Sequence, residues 1–300
     1  MKIGIDVGGS HIGIGIIDGN KIIGIKEKNF NREDRQNFEK TIIDSIKKNI
    51  PQLLEENSLN IKQIELIGIA VPGTISNGII VKAGNLNLYN FDILSKLKEI
   101  YEIPIQIRND GKCAALAEKA YGVMKNFDDC VFINIGTGIG GAAFLGGKLL
   151  EPKRYSGFEF GHMVINKGGR LCTCGKKGCF EAYASINALK KKVTETLDID
   201  NDVSGQYLRE QLLIKDHPGV KEDIEVFLEY LKTGICNLID IFEPQIIVLG
   251  GSFAYYEGNP VLEKLIGKLK EKNSTFNNEE LPIISTAKLK NDAGIIGAVL

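Results

Sequence analysis

The chain opens with "KIGIDVGGSHIGIGIIDGNKIIGIKEKNF", in which apolar residues alternate with polar ones or run in short blocks broken by "GG" and "DGN". Alternation with a period of two sends successive side chains to opposite faces of a strand, and the glycine pairs mark turns. Three antiparallel strands joined by tight turns are predicted here. From residue 35 to 57 the period changes, and Phe38, Ile42, Ile43 and Ile46 fall on one face of a helix with a polar opposite face. "IELIGIAVPG" reads as a buried strand ended by Pro72-Gly73, and "IPIQIRND" as another strand ending on polar residues. Strands alternating with helices predict an α/β protein with ligands at strand C-termini.

The pattern then restarts. "VFINIGTGIGGAAFLGGKLL" is again strand, glycine turn, strand, turn and strand. Aligning Ile3–Ile17 with Val131–Leu145 sets Asp6 on Asn134, Val7 on Ile135 and Gly8 on Gly136. An offset of this size is about that of a domain, so a duplicated architecture is expected. Residues 186–233 show helical periodicity with a solvated Lys- and Glu-rich face. "DIFEPQIIVLGGSFA" supplies a helix end, a buried strand and a glycine turn, and the tail "DAGIIGAVL" is a helix expected to pack back on the first domain.

Composition narrows the function classes. The formal net charge of −1 leaves no electrostatic footprint for nucleic acid or an anionic membrane. No apolar run reaches the roughly 20 residues of a membrane span, and "MKIGIDVGG" breaks into glycines before a signal-peptide core can form. A cytoplasmic protein is expected. Cys113, Cys130 and Cys236 stand singly in apolar or helical contexts, as buried reduced thiols do.

Three glycine turns carry candidate chemistry. "GTGIGG" (Gly136–Gly141) satisfies G-x-G-x-x-G, yet only "AAFL" separates it from the next "GG", too short for the helix of a dinucleotide site. No G-K-[ST] follows, so a Walker loop is excluded as well. A glycine-rich hairpin turn offers another cradle, because bare backbone N–H groups approach anionic oxygens unobstructed. Turns at Gly8–Ser10 and Gly136–Gly138 are candidates to grip a triphosphate, with Asp6 holding magnesium through water. The third turn, after "QIIVLGG", favours this over two structural hairpins.

Asn109-Asp110 lies between a strand and a helix, where an aspartate serves either as an N-cap or as a general base. Spacing leaves both open. "LCTCGKKGC" is more specific. Cys172, Cys174 and Cys179 follow His162, and together they make a Cys₃His set of the structural zinc type. The C-x-C spacing departs from the C-x-x-C of redox pairs, and a histidine fits zinc better than an iron–sulfur cluster.

The ordered motifs "DVGGSHIGIGIID", "IAVPG", "RNDGKCAALAE", "INIGTGIGG", "EFGH", "CTCGKKGCFEAYAS", "IVLGG" and "NDAGIIGA" resemble those of the ROK family, which groups sugar kinases with sugar-responsive repressors. The likeness spans essentially the whole chain. It implies the actin-like ATPase (ribonuclease H-like) fold, two α/β domains with an interdomain nucleotide cleft. The expected domains are residues 1–109, completed by a C-terminal helix at about 290–300, and residues 110–289 with the zinc loop. By resemblance Asp110 is the base that deprotonates the 6-hydroxyl of a hexose for attack on ATP. Asn109, Glu159, His162 and Glu181 match positions that hold sugar hydroxyls, and Gly73 and Asn85 match weaker sugar-loop positions. Asp6, Gly9, Ser10, Thr137 and Gly138 would serve magnesium and phosphates, and Gly250-Gly251 the adenosine. His162 would give one ring nitrogen to zinc and turn the other toward the sugar. Ser10 and His11 replace the family's usual Thr and Lys, and Phe158 and Phe160 flank Glu159, which bears on sugar identity.

The expected activity is ATP-dependent phosphorylation of glucose or an N-acetylhexosamine such as N-acetylmannosamine, by a homodimer with Mg²⁺ and structural Zn²⁺. Two alternatives are a sugar-sensing repressor and a catalytically silent sugar-binding relative. A repressor needs a helix-turn-helix ahead of the first strand, which here is expected to begin at residue 2.

Overall fold

The computed structural model describes the chain apart from residues 10, 32, 153–157, 202, 214–216, 257–259 and 272–280, and apart from the side chains of residues 85, 206, 211–213 and 256. The chain forms two compact units. The first is built mainly from Met1–Lys125 and Asn291–Leu300, the second from Asn126–Leu150 and Phe158–Lys290.

In the first unit β1 (Lys2–Val7), β2 (His11–Asp18) and β3 (Lys21–Asn29) form the antiparallel meander that the opening alternation predicts. Helix α1 (Phe38–Glu56) starts at Asn37, whose side chain accepts the Lys40 N–H, and buries Phe38, Ile42, Ile43, Ile46, Ile50, Leu53 and Leu54. Strand β4 (Leu66–Val71) follows. Next comes a small antiparallel sheet that periodicity did not announce, β5 (Thr74–Ser76), β6 (Ile79–Ala83) and β7 (Leu88–Phe91). Helix α2 (Ile93–Lys98), β8 (Ile105–Asn109) and α3 (Asp110–Tyr121) close this stretch. The main sheet runs β3-β2-β1-β4-β8. Because β1, β4 and β8 are parallel, Asp6, Val71 and Asn109 all end at one sheet edge.

The C-terminal helix, Asp292–Gly297, completes this sheet. Its backbone lies so close that a methyl group on Gly68 would enter the Ala298 carbonyl, and one on Gly297 the Cys113 carbonyl of α3. Ile295 and Val299 pack with Ile17, and Ala298 with Ala70 and Cys113. This packing is why the division falls after Lys125 rather than after Asn109 as expected. Helix α3 belongs with the segment it packs on.

The second unit repeats the plan. Its strands are β9 (Cys130–Ile135), β10 (Ile139–Leu145) and β11 (Lys148–Leu149). Helices α4 (Glu181–Ala184), α5 (Ile186–Leu197), the single turn α6 (Gly205–Tyr207) and α7 (Lys221–Phe242) follow. Then come β12 (Ile246–Gly250), α8 (Pro260–Leu269) and β13 (Ile283–Thr286). The sheet order β11-β10-β9-β12-β13 matches the first, with an antiparallel hairpin followed by parallel strands. Asp6 faces Gly13 in one hairpin and Asn134 faces Gly140 in the other, one residue short of the Gly141 that the internal alignment sets on Gly13, because the second hairpin turn is one residue shorter. The core lies between this sheet and α5, α7 and α8, where Phe180 packs against Gly234 of α7.

Two glycine substitutions separate close approach from mere presence. Gly297→Ala is expected to destabilise the chain by about 1–3 kcal/mol, because two backbones must part. Gly267→Ala in α8 meets nothing within 4 Å and is expected to stabilise by about 0.5–1 kcal/mol through helix propensity. Calorimetric melting compares them, and equal effects at the two sites would refute the packing account.

Candidate active site

The C-terminal edge of the first sheet gathers the residues singled out by sequence. Asn109 is the N-cap of α3, its Oδ1 accepting the Lys112 N–H at 3.2 Å. Its Nδ2 donates to the Gly73 carbonyl at 3.1 Å, tying the ends of β4 and β8 together. The cap is therefore Asn109, which leaves Asp110 as the first helical residue, its Oδ1 accepting the Gly111 N–H at 2.8 Å. Gly73 has φ +99°, a conformation that favours glycine. Gly8 N–H donates to the His11 carbonyl at 2.9 Å to close the first glycine turn. Arg35, which carried no sequence signal, donates to the Gly9 carbonyl at 2.9 Å. Ser10 and the Asn85 side chain lie outside the described residues.

Burial, and after it the like charge of Asp110, push the Asp6 carboxyl up to about 7. A desolvated carboxylate beside a second acid is what a hard cation relieves, so the donor set fits magnesium. Asp6 also leans on the C-terminal helix, where a methyl on Gly294 would strike its oxygens.

In the second unit the turn Gly136–Thr137–Gly138 joins β9 to β10 and is closed by Gly136 N–H donating to the Gly138 carbonyl at 2.9 Å. It is a hairpin turn, and β10 rather than a helix follows it. Gly250 pairs with Asn134, so the glycine turn after β12 lies beside the end of β9. Gly251 has φ +64°, and a Cβ there would stand 2.6 Å from Asn134 Oδ1.

His162, Cys172, Cys174 and Cys179 converge, with one ligand atom from each lying within 4.8 Å of the others. Cys172 Sγ is 3.6 Å from His162 Nδ1, and Cys174 Sγ is 3.6 Å from Cys179 Sγ. Four bonds of about 2.0–2.3 Å to one tetrahedral ion separate the ligand atoms by about 3.5–3.8 Å, so the donors fit a metal. A disulfide needs about 2.05 Å, and all three thiols are free. Burial raises Cys179 to about 12, aided by hydrogen bonds with Cys174 and Cys172. Burial would raise Cys174 too, but hydrogen bonds from the Lys176 backbone, Cys172 and Cys179 outweigh it and lower that thiol. Gly175 and Gly178 take φ of +90° and +87°, and Lys176 Nζ donates to the His162 carbonyl at 2.9 Å.

Glu181 follows this knuckle on α4. Its Oε2 accepts the Ile139 N–H at 2.8 Å, and its Oε1 accepts the Thr173 hydroxyl at 3.2 Å. Glu159 is exposed, and its carbonyl accepts the His162 N–H at 2.9 Å. The flanking Phe158 and Phe160 turn away into an aromatic cluster with Phe242, with centroids 5.7–6.4 Å apart. They are core anchors of this loop. Phe158 holds φ +52°, a strained conformation for an aromatic residue. Arg35 and Thr173 are the neighbours of the site that sequence reading missed, since neither belongs to a periodic pattern or a ligand spacing.

The raised Asp6 value carries a sign. The folded chain holds this proton more tightly than the unfolded chain does, for which the value is 3.8. The charged form therefore destabilises the fold, with no effect below about pH 4 and the full effect above about pH 7. Without nucleotide or magnesium, Asp6→Asn is expected to be more stable than the parent by about 1–3 kcal/mol at pH 8, with the gap shrinking toward pH 5. Thermal melts across that range check it. A variant less stable than the parent at pH 8 would overturn it.

Comparison with known proteins places these sites in a family. Over 199 residues the chain is 34% identical to the xylose repressor of Bacillus subtilis, covering 65% of this chain and 50% of the repressor. The chain thus spans about half the length of that relative. It is 27% identical over 326 residues to the glucokinase of Thermotoga maritima, covering 99% of this chain and 95% of the enzyme. The crystal structure of a ROK hexokinase from Thermus thermophilus superposes with a TM-score of 0.78 at 27% identity, covering 99% of this chain and 96% of that one. Among the described residues no helix is long and apolar enough to cross a membrane. The description "ROK family" matches residues 2–300, and the chain belongs to the ROK family.

Proposed function

We propose that the chain is an ATP-dependent hexose kinase that phosphorylates the 6-hydroxyl of glucose or an N-acetylhexosamine. The observation that carries this reading is the position of Asp110, the first residue of α3, at the strand edge that also presents Asp6 and Asn109. Asp110 takes the proton of the sugar hydroxyl as its oxygen forms a bond to the γ-phosphorus. The bond to the bridging oxygen breaks and ADP leaves. Phosphoryl transfer of this kind depends on positioning and electrostatics. Asp6 would hold magnesium through water, and the ion when bound would supply positive charge against the phosphates. Backbone N–H groups of the turns at Gly8–Gly9 and Gly136–Gly138, with Thr137, receive phosphate oxygens, and the Gly250-Gly251 turn takes the adenosine. Asn109, Gly73, Glu159, His162 and Glu181 take the sugar hydroxyls, which are discriminated because a buried acceptor without its partner is costly.

The Cys₃His cluster is read as structural zinc. His162 Nδ1 faces Cys172, which leaves Nε2 to serve the sugar. A second reading, a sugar-sensing regulator, is favoured by the likeness to the xylose repressor. Turnover separates the two. A homodimer in the cytoplasm remains part of the proposal.

Asp110→Asn is expected to lower kcat by about 10²–10⁴-fold, while hexose binding measured calorimetrically stays within a few-fold of the parent. A near-parental rate would remove Asp110 as the base, and a parent that turns over no hexose would remove the kinase. Elemental analysis is expected to find one zinc per chain. Cys174→Ser should lose it and raise the hexose KM through disorder in the His162–Glu181 segment. Full zinc content in that variant, or an unchanged KM after zinc loss, would count against the assignment.

A further inference from the structure

The middle residue of the C-x-C pair, Thr173, is not among the four clustered donors, and its side chain reaches Glu181. We propose that Thr173 is a positioning residue that acts through the Glu181 carboxylate to fix the turn Gly136–Gly138. For the identity of the ligands it affects, this rests on the kinase reading above.

One side chain joins two loops far apart in sequence. Glu181 Oε2 accepts the N–H of Ile139, the first residue after the turn, at 2.8 Å. Gly138 lies flush against that same oxygen, where a Cβ would overlap it. The other oxygen, Oε1, accepts the Thr173 hydroxyl at 3.2 Å and has the Cys172 sulfur at 3.9 Å. The base of Glu181 is fixed: Phe180 beside it is fully buried against Gly234. Just beyond α4, the Ile186 N–H donates to the Gly136 carbonyl at 2.9 Å. The turn is thus held from one side by the start of α5 and from the other by the Glu181 carboxylate.

A carboxylate on a fixed stem still rotates about its terminal bonds, and a second donor on the free oxygen selects one orientation. Thr173 is suited to that task because the residues on both sides of it belong to the metal-binding set. A metal on Cys172 and Cys174 pins the backbone between them and so aims the hydroxyl. Loss of the hydroxyl leaves Oε1 only the Cys172 sulfur at 3.9 Å, loosens Oε2 on Ile139, and reaches the phosphate turn without touching a ligand atom. The charge-assisted bond is exposed, so the effect is modest, of the order of one net hydrogen bond at most.

The test compares full-length Thr173→Val, Thr173→Ser and the same Val change on a Glu181→Ala background, each with metal content measured. Hydrogen exchange of the peptide spanning residues 136–141 needs no ligand and reads the Ile139 amide directly. Thr173→Val is expected to exchange about 3–10-fold faster there and to raise the hexose KM by a similar factor, with kcat and metal content unchanged. Thr173→Ser is expected to restore both, and the Val change is expected to add nothing once Glu181 is alanine. Parental exchange in Thr173→Val, metal loss accompanying the effect, or an undiminished effect without Glu181 would each overturn the proposal. A parent without hexose turnover would defeat the kinase reading, while the exchange measurement would still decide the role of Thr173.

Discussion

Asp6 is a carboxylate held out of water beside a second one, Asp110, at a sheet edge of the first unit. Asp6 and Asp110 share that edge because β1, β4 and β8 are parallel, so their ends cannot separate without breaking the sheet. Burial, and after it repulsion from Asp110, raise the Asp6 carboxyl. The surroundings accommodate the pair. Asn109 takes over the helix cap, and glycine at position 294 gives the Asp6 oxygens room. Such a site has a standing preference for ligands that bring positive charge. Stability given up in the empty chain returns as affinity when a cation arrives.

The two units share one sheet order but differ in charge. Where β1 carries Asp6, β9 carries Asn134, an amide whose oxygen faces the Gly251 turn. In the proposed division of labour the first unit manages a metal and a proton. The second presents neutral backbone to phosphates and nucleoside.

Much of this was legible because its signals are local. The opening meander shows as alternation, α1 as a 3.6-residue period, and the metal cluster as His and Cys at ligand spacing. The two glycine turns align at a fixed offset, and the matching sheets bear out the repeat. The strands β5, β6 and β7 were illegible, being three to five residues long and without alternation. The identity of the α3 cap was ambiguous, since Asn109 and Asp110 are both good caps and only tertiary contact with Gly73 selects the asparagine. The domain boundary was misplaced for a similar reason: α3 follows the second strand edge in sequence but packs with the chain's last helix. The hydrogen bonds of Glu181 with Ile139 and of Arg35 with Gly9 join residues 42 and 26 positions apart. No periodicity encodes them. The roles of individual sugar-site residues came from family resemblance, and geometry then supplied their neighbours.

The returning helix Asp292–Gly297 also bears on how the chain is made. Its backbone forms one wall of the first unit, packed against Gly68 and against α3. During synthesis these residues leave the ribosome after all of the second unit. Domains generally fold in order of emergence, at about 5–20 residues per second. Here the unit that starts first is finished last. For many seconds the first sheet must wait with one face open, while the second unit already has every strand it needs. An exposed sheet face of that kind is a natural client for chaperones, so folding of the first unit is tied to the emergence of a segment that follows the whole second unit.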